Sequence, residues 1–345
     1  MVVVQGYFVR WNILLMLTVL VLAGTPLVSA HAPLGTGSNE DIANATFFGN
    51  PEKSFALYTE LHESGEAQYY HFPMRSGDIL YGSLQVPGPG SMIPDLVITG
   101  PGIRMEGDIP SFIEIPSGSG AMLVPGEPPG NPSYEPFTPQ PIYEVARFNV
   151  TIPVDGDYYI AVFGSGGGKY SLAPGFREEF TAAEWLSVPV SVLSIYLWEG
   201  QPIAEVLAPF FIVLTGGLIL VFFHRKKGFP DDPVGWLAII SGLLYLGGAA
   251  ITATQTVRTL LQTGYSPEVV LTIVFIAAAI IPGIAAIRTG TRVKDHGYPL
   301  SGGIGMVLIG LLGLVVWAGL IAGPVIAVIS GTLVIAKHPA KPGSE

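Results

Sequence analysis

A histidine near the start of the chain stands at an unusual position for metal binding. His31 follows Val28-Ser29-Ala30, which has small residues at the third-last and last positions of a secretory cleavage site. Cleavage after Ala30 makes His31 the first residue of the mature protein, with a free amine beside its imidazole. The amine and Nδ1 can then chelate one ion, and such nitrogen ligands suit Cu(II).

A second imidazole would complete a T-shaped site, and the same part of the chain offers His62 and His71. If the runs on either side of "HESGE" (62–66) form a hairpin, His62 lies at its turn and His71 lies about 16 Å further along a strand. The two then cannot bind one ion. His71 is the preferred partner because a strand holds an imidazole more rigidly than a turn does, with His62 as the alternative. The alternative is that neither residue binds a metal, so that His31 is a loop residue and His71 an ordinary surface histidine.

This terminal arrangement resembles the histidine brace of copper monooxygenases and periplasmic copper carriers, although the sequence contains no His-x-His pair. Copper is the cofactor that the resemblance implies. The chain has no cysteine, which excludes disulfides, thiolate metal sites and a cysteine nucleophile. No Ser-His-acid arrangement or Walker loop is recognisable, so we assign no catalytic residue and favour a protein that is not an enzyme.

Composition places the protein in a membrane. Of its 345 residues 49% are hydrophobic and only 12% are charged, and several uncharged runs are long enough to cross a bilayer core. Charge is uneven, since 31–200 carries 20 acidic and six basic residues, whereas the remainder carries six acidic and ten basic ones. An acidic half argues against nucleic acid as a partner.

The first 30 residues have the features of a signal peptide. Arg10 supplies a positive charge, and an uncharged run from Ile13 to Gly24 follows it. Residues 1–30 are therefore predicted to be removed, with an uncleaved anchor helix as the alternative, and 31–180 to form an extracytoplasmic domain. Two tripeptides in that domain fit the N-glycosylation pattern, and they begin at Asn44 and Asn149.

Residues 54–174 have the pattern of short β-strands separated by Gly and Pro, which favours an all-β sandwich. Aromatic and β-branched residues dominate the runs. The predicted strands are 54–61, 66–72, 78–86, 95–100, 144–152, 157–163 and 169–175.

The order of these runs resembles the bacterial pre-peptidase C-terminal domain. The resemblance covers roughly 54–175 and depends on "GEAQYYHFPMRSGDILYGSLQV", "PDLVITGPG" and "FNVTIPVDGDYYIAVFGSGGGKYSLAPG". It implies a jelly-roll-like sandwich that serves as a binding or accessory module. This chain departs from the family's pattern in having no protease and in carrying an insertion at 101–141. Seven prolines from Pro125 to Pro141 predict an extended loop there. Tyr134 and Phe137 are predicted to pack on the sandwich, with a partner-binding edge as the alternative.

Residues 181–200 are predicted to form an interfacial segment. Thr181 and Glu184 have the spacing of a capping box, and Trp185, Tyr196 and Trp198 suit a helix at the membrane surface. Pro189 argues against a straight helix, and a final strand or linker remains the alternative.

The membrane domain, 201–337, is predicted to be an all-α bundle of four or five helices. The apolar spans are 203–223, 234–254, 268–287, 302–320 and 324–337, the last two separated by a break at Gly319–Pro324. Basic residues follow the first and third spans, so the positive-inside rule places those turns in the cytoplasm and the β-domain outside. Five spans also put the 338–345 tail in the cytoplasm.

The sequence therefore predicts a multi-pass protein of a prokaryotic cell membrane that presents an acidic β-domain outside the cell. Its predicted role is non-catalytic binding or assembly, with the bilayer and an extracytoplasmic protein or envelope component as partners. Small residues four apart in the spans allow close helix packing, within one subunit or in a homo-oligomer. The alternatives are a copper-binding protein for delivery or redox chemistry and, third, a channel or carrier.

Overall fold

A computed structural model of the protein describes residues 32–34 (backbone only), 39–223, 232–291 and 299–337. The chain divides into two compact units. The first, called here the β unit, comprises Ala30–Pro209 and Thr254–Val269. The second, called the helical unit, contains Phe210–Ala253 and the described residues from Val270 onward. His31 and the predicted signal peptide lie outside the described residues.

The β unit contains two sheets. The six-stranded sheet has the order β1-β3-β11-β5-β9-β8, and the five-stranded sheet has the order β2-β4-β10-β6-β7. β1 pairs with β3, and β2 with β4, in parallel, and the other pairs are antiparallel. The strands are β1 (Ala32–Leu34), β2 (Thr46–Phe47), β3 (Phe55–Leu61), β4 (Ala67–Met74), β5 (Ile79–Val86), β6 (Asp95–Gly100), β7 (Gly120–Val124), β8 (Ser133–Glu135), β9 (Gln140–Thr151), β10 (Gly156–Phe163) and β11 (Gly168–Pro174).

Alternation along the strands builds one apolar core from both sheets. On β4, Tyr70, Phe72 and Met74 point into a cluster that also contains Leu57 and Leu84 of the six-stranded sheet. Tyr69 points to the opposite face of β4, into a smaller cluster with Ile113 and other residues of the insertion. The insertion therefore covers part of the outer face of the five-stranded sheet.

The predicted hairpin around "HESGE" is wrong. β3 pairs with β1 and β11, whereas β4 pairs with β2 and β10, so residues 62–66 cross from one sheet to the other. The loop 164–167 likewise joins β10 of one sheet to β11 of the other. A short Gly-containing turn is compatible both with a hairpin and with a crossover between sheets. The packing of both sheets on one core selects the crossover here.

The insertion at 101–141 also differs from the predicted loop. It includes β7 and β8 and the first residues of β9, so part of it is paired into the sheets. Tyr134 is buried, as its predicted packing requires.

Six helices follow in the described residues. They are α1 (Ala182–Trp198), α2 (Ile203–Phe223), α3 (Pro233–Thr263), α4 (Val269–Thr291), α5 (Leu300–Val315) and α6 (Ala322–Ala336). Three of them, α2, α3 and α4, are long and apolar enough to cross a membrane. α3 has 31 residues and continues well past the predicted end at residue 254. α5 ends at Val315, and Trp317, Leu320 and Ile321 adopt positive φ in the break before α6.

Glycines bring helices of the helical unit into close contact. A Cβ added at Gly242 of α3 would lie 2.4 Å from the Gly283 carbonyl oxygen of α4. A Cβ at Gly331 of α6 would lie 2.5 Å from the Gly303 carbonyl oxygen of α5. The small residues at these positions therefore serve packing within one chain.

Candidate functional site

His71 lies on the outer face of the five-stranded sheet, in an aromatic row. Its neighbours in register are Phe47 on β2 and Tyr159 on β10. The imidazole stacks on Tyr159 with ring centroids 4.7 Å apart, and Phe47 contacts it edge-on at 5.3 Å. His71 Nε2 lies 2.8 Å from Asp157 Oδ1. The ring is half-buried, and its Nε2 is held by the Asp157 carboxylate. Nδ1 is therefore the ring nitrogen that could bind a metal ion.

His62 is in a different setting. It is exposed in the crossover between the sheets, with Nδ1 3.3 Å from Glu66 Oε2 and Nε2 3.9 Å from Glu60 Oε1. In the part of the chain that the structure describes, no three His, Cys, Asp or Glu side chains are grouped so that they could hold a metal ion. The pairing of His31 with His71 stays a prediction, because His31 is outside that part.

Both predicted glycosylation sites are exposed. Asn44 ends a short 3-10 helix (Ile42–Asn44), and its backbone N–H and Nδ2 donate to Asp41 Oδ1 at 2.8 and 3.0 Å. Asn149 lies on β9, opposite Tyr81. Modification of either residue stays a prediction.

A different region of the β unit brings together more polar chemistry, beginning with the start of α1. The predicted capping box forms, since the Thr181 side chain and the Glu184 side chain each bond the other residue's backbone N–H. Lys53 Nζ lies 2.7 and 2.9 Å from the two Glu184 carboxylate oxygens, and the side chains of this pair are largely buried. The N-terminal end of α1 is thereby fixed beside the start of β3.

The other end of α1 is fixed beside the same strand. Trp198 Nε1 donates to the Thr59 carbonyl at 3.2 Å, and its ring contacts Tyr58 at 5.0 Å. Lys169 Nζ donates to the Trp198 carbonyl at 3.0 Å, where a helix C-terminus favours a cation. Lys53 to Thr59 is about 20 Å of strand, and Glu184 to Trp198 is about 21 Å of helix. α1 therefore runs along the edge of the six-stranded sheet that β1 and β3 form.

Two aromatic residues of α1 that were predicted to suit the membrane surface contact the β unit. Tyr196 is buried, and Trp198 Nε1 is hydrogen-bonded to a carbonyl of β3. Their amphipathic side chains suit a protein contact with a polar partner as well as they suit a lipid surface. Composition alone therefore did not distinguish the two environments.

α1 ends in a Schellman motif that turns the chain sharply into α2. Gly200 has φ +86°, its N–H bonds the Leu197 carbonyl, and the Gln201 N–H bonds the Tyr196 carbonyl. Pro202 then precedes the first residue of α2. The Gly-x-Pro pattern in "WEGQP" was the sequence signal for this corner, and the sequence interpretation did not use it.

Three side chains form a hydrogen-bonded row at this corner, called here the Glu199 relay. Gln255 Nε2 donates to Gln201 Oε1 at 2.9 Å, and Gln201 Nε2 donates to Glu199 Oε2 at 2.8 Å. Gln255 is only 3% exposed, and its Oε1 accepts no hydrogen bond from any described residue. Gln255 lies one residue beyond the predicted span 234–254, which is why span prediction overlooked it.

Two carboxyl groups near Tyr58 have raised pKa values. Burial raises the pKa of Glu199 to about 7, although the Gln201 hydrogen bond and the Arg258 charge oppose the shift. Burial raises the pKa of Glu135 to about 8, against a hydrogen bond from the Phe137 N–H. Burial also raises the pKa of Tyr58, and both carboxylates add to that shift, so all three groups lie within electrostatic range.

The structure thus groups His71 with Asp157, and groups Glu199 with two buried amides, without bringing His62 into either set. No protein-family model matches the chain, and no curated protein matches it in sequence. The aromatic row around His71 lies on an outer face of the β unit. The Glu199 relay is a buried row of hydrogen bonds within the same unit.

Proposed function

We propose that this chain is an integral membrane protein that holds an acidic binding or assembly module outside the cell, without catalysis. In this proposal the two sheets form a jelly-roll-like sandwich, and five helices cross the bilayer with the C-terminus in the cytoplasm. The bilayer and an extracytoplasmic protein or envelope component are its partners.

The observation that carries the proposal is the fixed connection of α1. Contacts at both ends hold α1 beside the β1–β3 edge of its sheet, and a connection of four residues with a Schellman motif leads directly into the apolar α2. The end of α3 belongs to the same compact unit as the sheets. The β unit is therefore joined to α2 by a short turn rather than by a long linker, which suits recruitment or assembly.

The topology is tested with single cysteines, since the native chain has none. In intact cells, Glu63→Cys in the exposed crossover should react with an impermeant thiol reagent. Ser344→Cys, in the tail outside the described residues, should react only after lysis. Labelling of Ser344→Cys from outside would contradict the five-span arrangement.

The binding role is tested by photo-crosslinking at adjacent phenylalanines. Phe47 is 63% exposed beside His71, whereas Phe48 is 2% exposed in the core. A photoreactive amino acid at Phe47 should give a discrete adduct with an envelope component in living cells, and the same amino acid at Phe48 should not. Equal results at the two positions would contradict a partner on this face.

Copper binding is the second candidate function, and the His71–Asp157 hydrogen bond is the observation that favours it. Metal-binding histidines commonly donate the second ring nitrogen to a carboxylate, which fixes the tautomer and the ring orientation. The residues proposed to hold copper are His31, through its amine and imidazole, and His71.

The test compares the mature chain beginning at His31 with a chain that carries one extra Gly before it. Electron paramagnetic resonance should show a tight type 2 Cu(II) site only in the first, strengthening as pH rises toward the amine pKa near 8. Asp157→Asn should weaken the site. Equal binding by the two termini would exclude the amine as a ligand.

A further inference from the structure

The face of α1 that points away from the sheets is an exposed apolar stripe. Leu186, Val190 and Leu197 are 52%, 68% and 43% exposed, and their spacing of four and seven places them on one side of the helix. The other exposed residues of α1 are Ala182, Ala183, Ser187 and Ser194, so this side carries no charge. Large side chains exposed together in this way mark a surface that contacts another apolar phase.

α1 is held against the β unit at both ends. Its two ends contact Lys53 and Thr59 of the chain segment that forms β3, so its whole length lies beside a strand of the β unit. Other sides of the helix are occupied, since Pro189, Ile195 and Tyr196 are buried. The stripe is therefore the side of α1 that can contact lipid, water or another protein.

The stripe ends close to the start of α2, a helix that has the composition of a lipid-facing span. Leu197 lies six residues before α2, whose apolar stretch contains few buried residues. Along α2, Phe211, Ile212 and Ile219 are all more than half exposed. Because the α1–α2 turn is short and closed by backbone hydrogen bonds, the end of the stripe lies next to the start of this span.

We infer that α1 lies in the membrane–water interface and that Leu186, Val190 and Leu197 contact the lipid of the outer leaflet. This inference rests on the proposed function, because it requires that α2 crosses the bilayer. Its consequence is that the six-stranded sheet, along which α1 runs, is held against the membrane through α1. The stripe therefore contacts lipid, rather than a second copy of the chain or another protein.

The test uses nitroxide spin labels on single cysteines in the full chain, reconstituted in phospholipid nanodiscs. Labels are placed at Val190→Cys and Leu186→Cys, at Ile212→Cys as the lipid reference, and at Glu63→Cys as the water reference. Lipid contact predicts that the two α1 labels are severalfold more accessible to oxygen than to a water-soluble nickel chelate, as at Ile212. Because these side chains are exposed, the substitutions should leave folding intact.

Two results would overturn the inference. Accessibility to the nickel chelate matching that at Glu63 would place the stripe in water, and exclusion of both reagents would place it against protein. If Ile212 is itself open to the nickel chelate, the membrane anchorage in the proposed function fails as well. The Ile212 label therefore separates failure of the inference from failure of the proposed function.

Discussion

At the scale of single residues, Glu199 links stability to pH. Burial raises the pKa of its carboxyl from 4.5 to about 7, so the native state holds a proton that the unfolded state has released. The contribution of this group is fully present below pH 4.5 and is lost as pH rises through about 7.

Glu199→Gln should therefore flatten the pH dependence of unfolding. We expect the melting temperature of the purified protein to fall between pH 5.5 and 8, and to fall less in the variant, by the equivalent of about 2 kcal/mol. Glu135, with a pKa of about 8, should account for part of what remains. An exposed control, Glu63→Gln, should follow the native curve, and an unchanged curve for Glu199→Gln would rule out ionisation at the relay.

At the scale of elements, the Lys53–Glu184 pair is the contact that fixes the start of α1. Its side chains are 12% and 26% exposed, so the charge-assisted hydrogen bonds are poorly screened by water. Lys53→Ala should reduce the free energy of unfolding by about 2 kcal/mol. Hydrogen exchange of the first turn of α1 should accelerate, while the end near Trp198 stays protected.

The control for this pair is an exposed ion pair of similar length. Arg147 and Glu144 are 2.7 Å apart on β9, with Arg147 largely in solvent. Arg147→Ala should change the unfolding free energy by less than about 1 kcal/mol. Equal losses from the two substitutions would show that the Lys53 pair has no special role.

Helix packing in the helical unit depends on Gly242. A methyl group there meets the Gly283 carbonyl at 2.4 Å and the Ile287 side chain at 2.6 Å. Gly242→Ala should therefore separate α3 from α4 and lower stability in detergent by about 1–3 kcal/mol. Gly216→Ala on α2, where a Cβ meets nothing within 4 Å, should be neutral or slightly stabilising.

At the scale of the whole molecule, α3 belongs to both units. Its residues up to Ala253 are in the helical unit, and those from Thr254 onward are in the β unit. The second part includes Gln255 of the Glu199 relay and Gln262, whose Oε1 accepts from Tyr143 OH at 3.2 Å. The two parts of this one helix should therefore differ in their protection from hydrogen exchange.

Destabilising the β core should reveal this division. Leu84→Ala removes a fully buried side chain, which costs about 2–5 kcal/mol. We expect faster hydrogen exchange in the strands and at 254–263, with little change at 234–253. Ile79→Ala, at an exposed position on the same strand, should affect neither segment. Uniform acceleration along α3 would contradict the division.

The amino-acid sequence by itself determined the local features. Alternation placed His71 and Tyr69 on the face of β4 opposite Tyr70 and Phe72. The length of an apolar run identified α2, and Thr181 with Glu184 identified the start of α1. Each of these signals is complete within one turn of helix, one strand or one apolar run, so no distant residue is needed to interpret it.

Only the tertiary structure decided which distant segments meet. β3 pairs with β11, more than 100 residues away, rather than with β4, which follows it, because each strand buries one face in a core shared by two sheets. For the same reason Tyr196 and Trp198 face the β unit, and Glu199 reaches Gln255 through Gln201. Such contacts join residues whose order in the chain carries no local pattern, and the free energy of packing selects them.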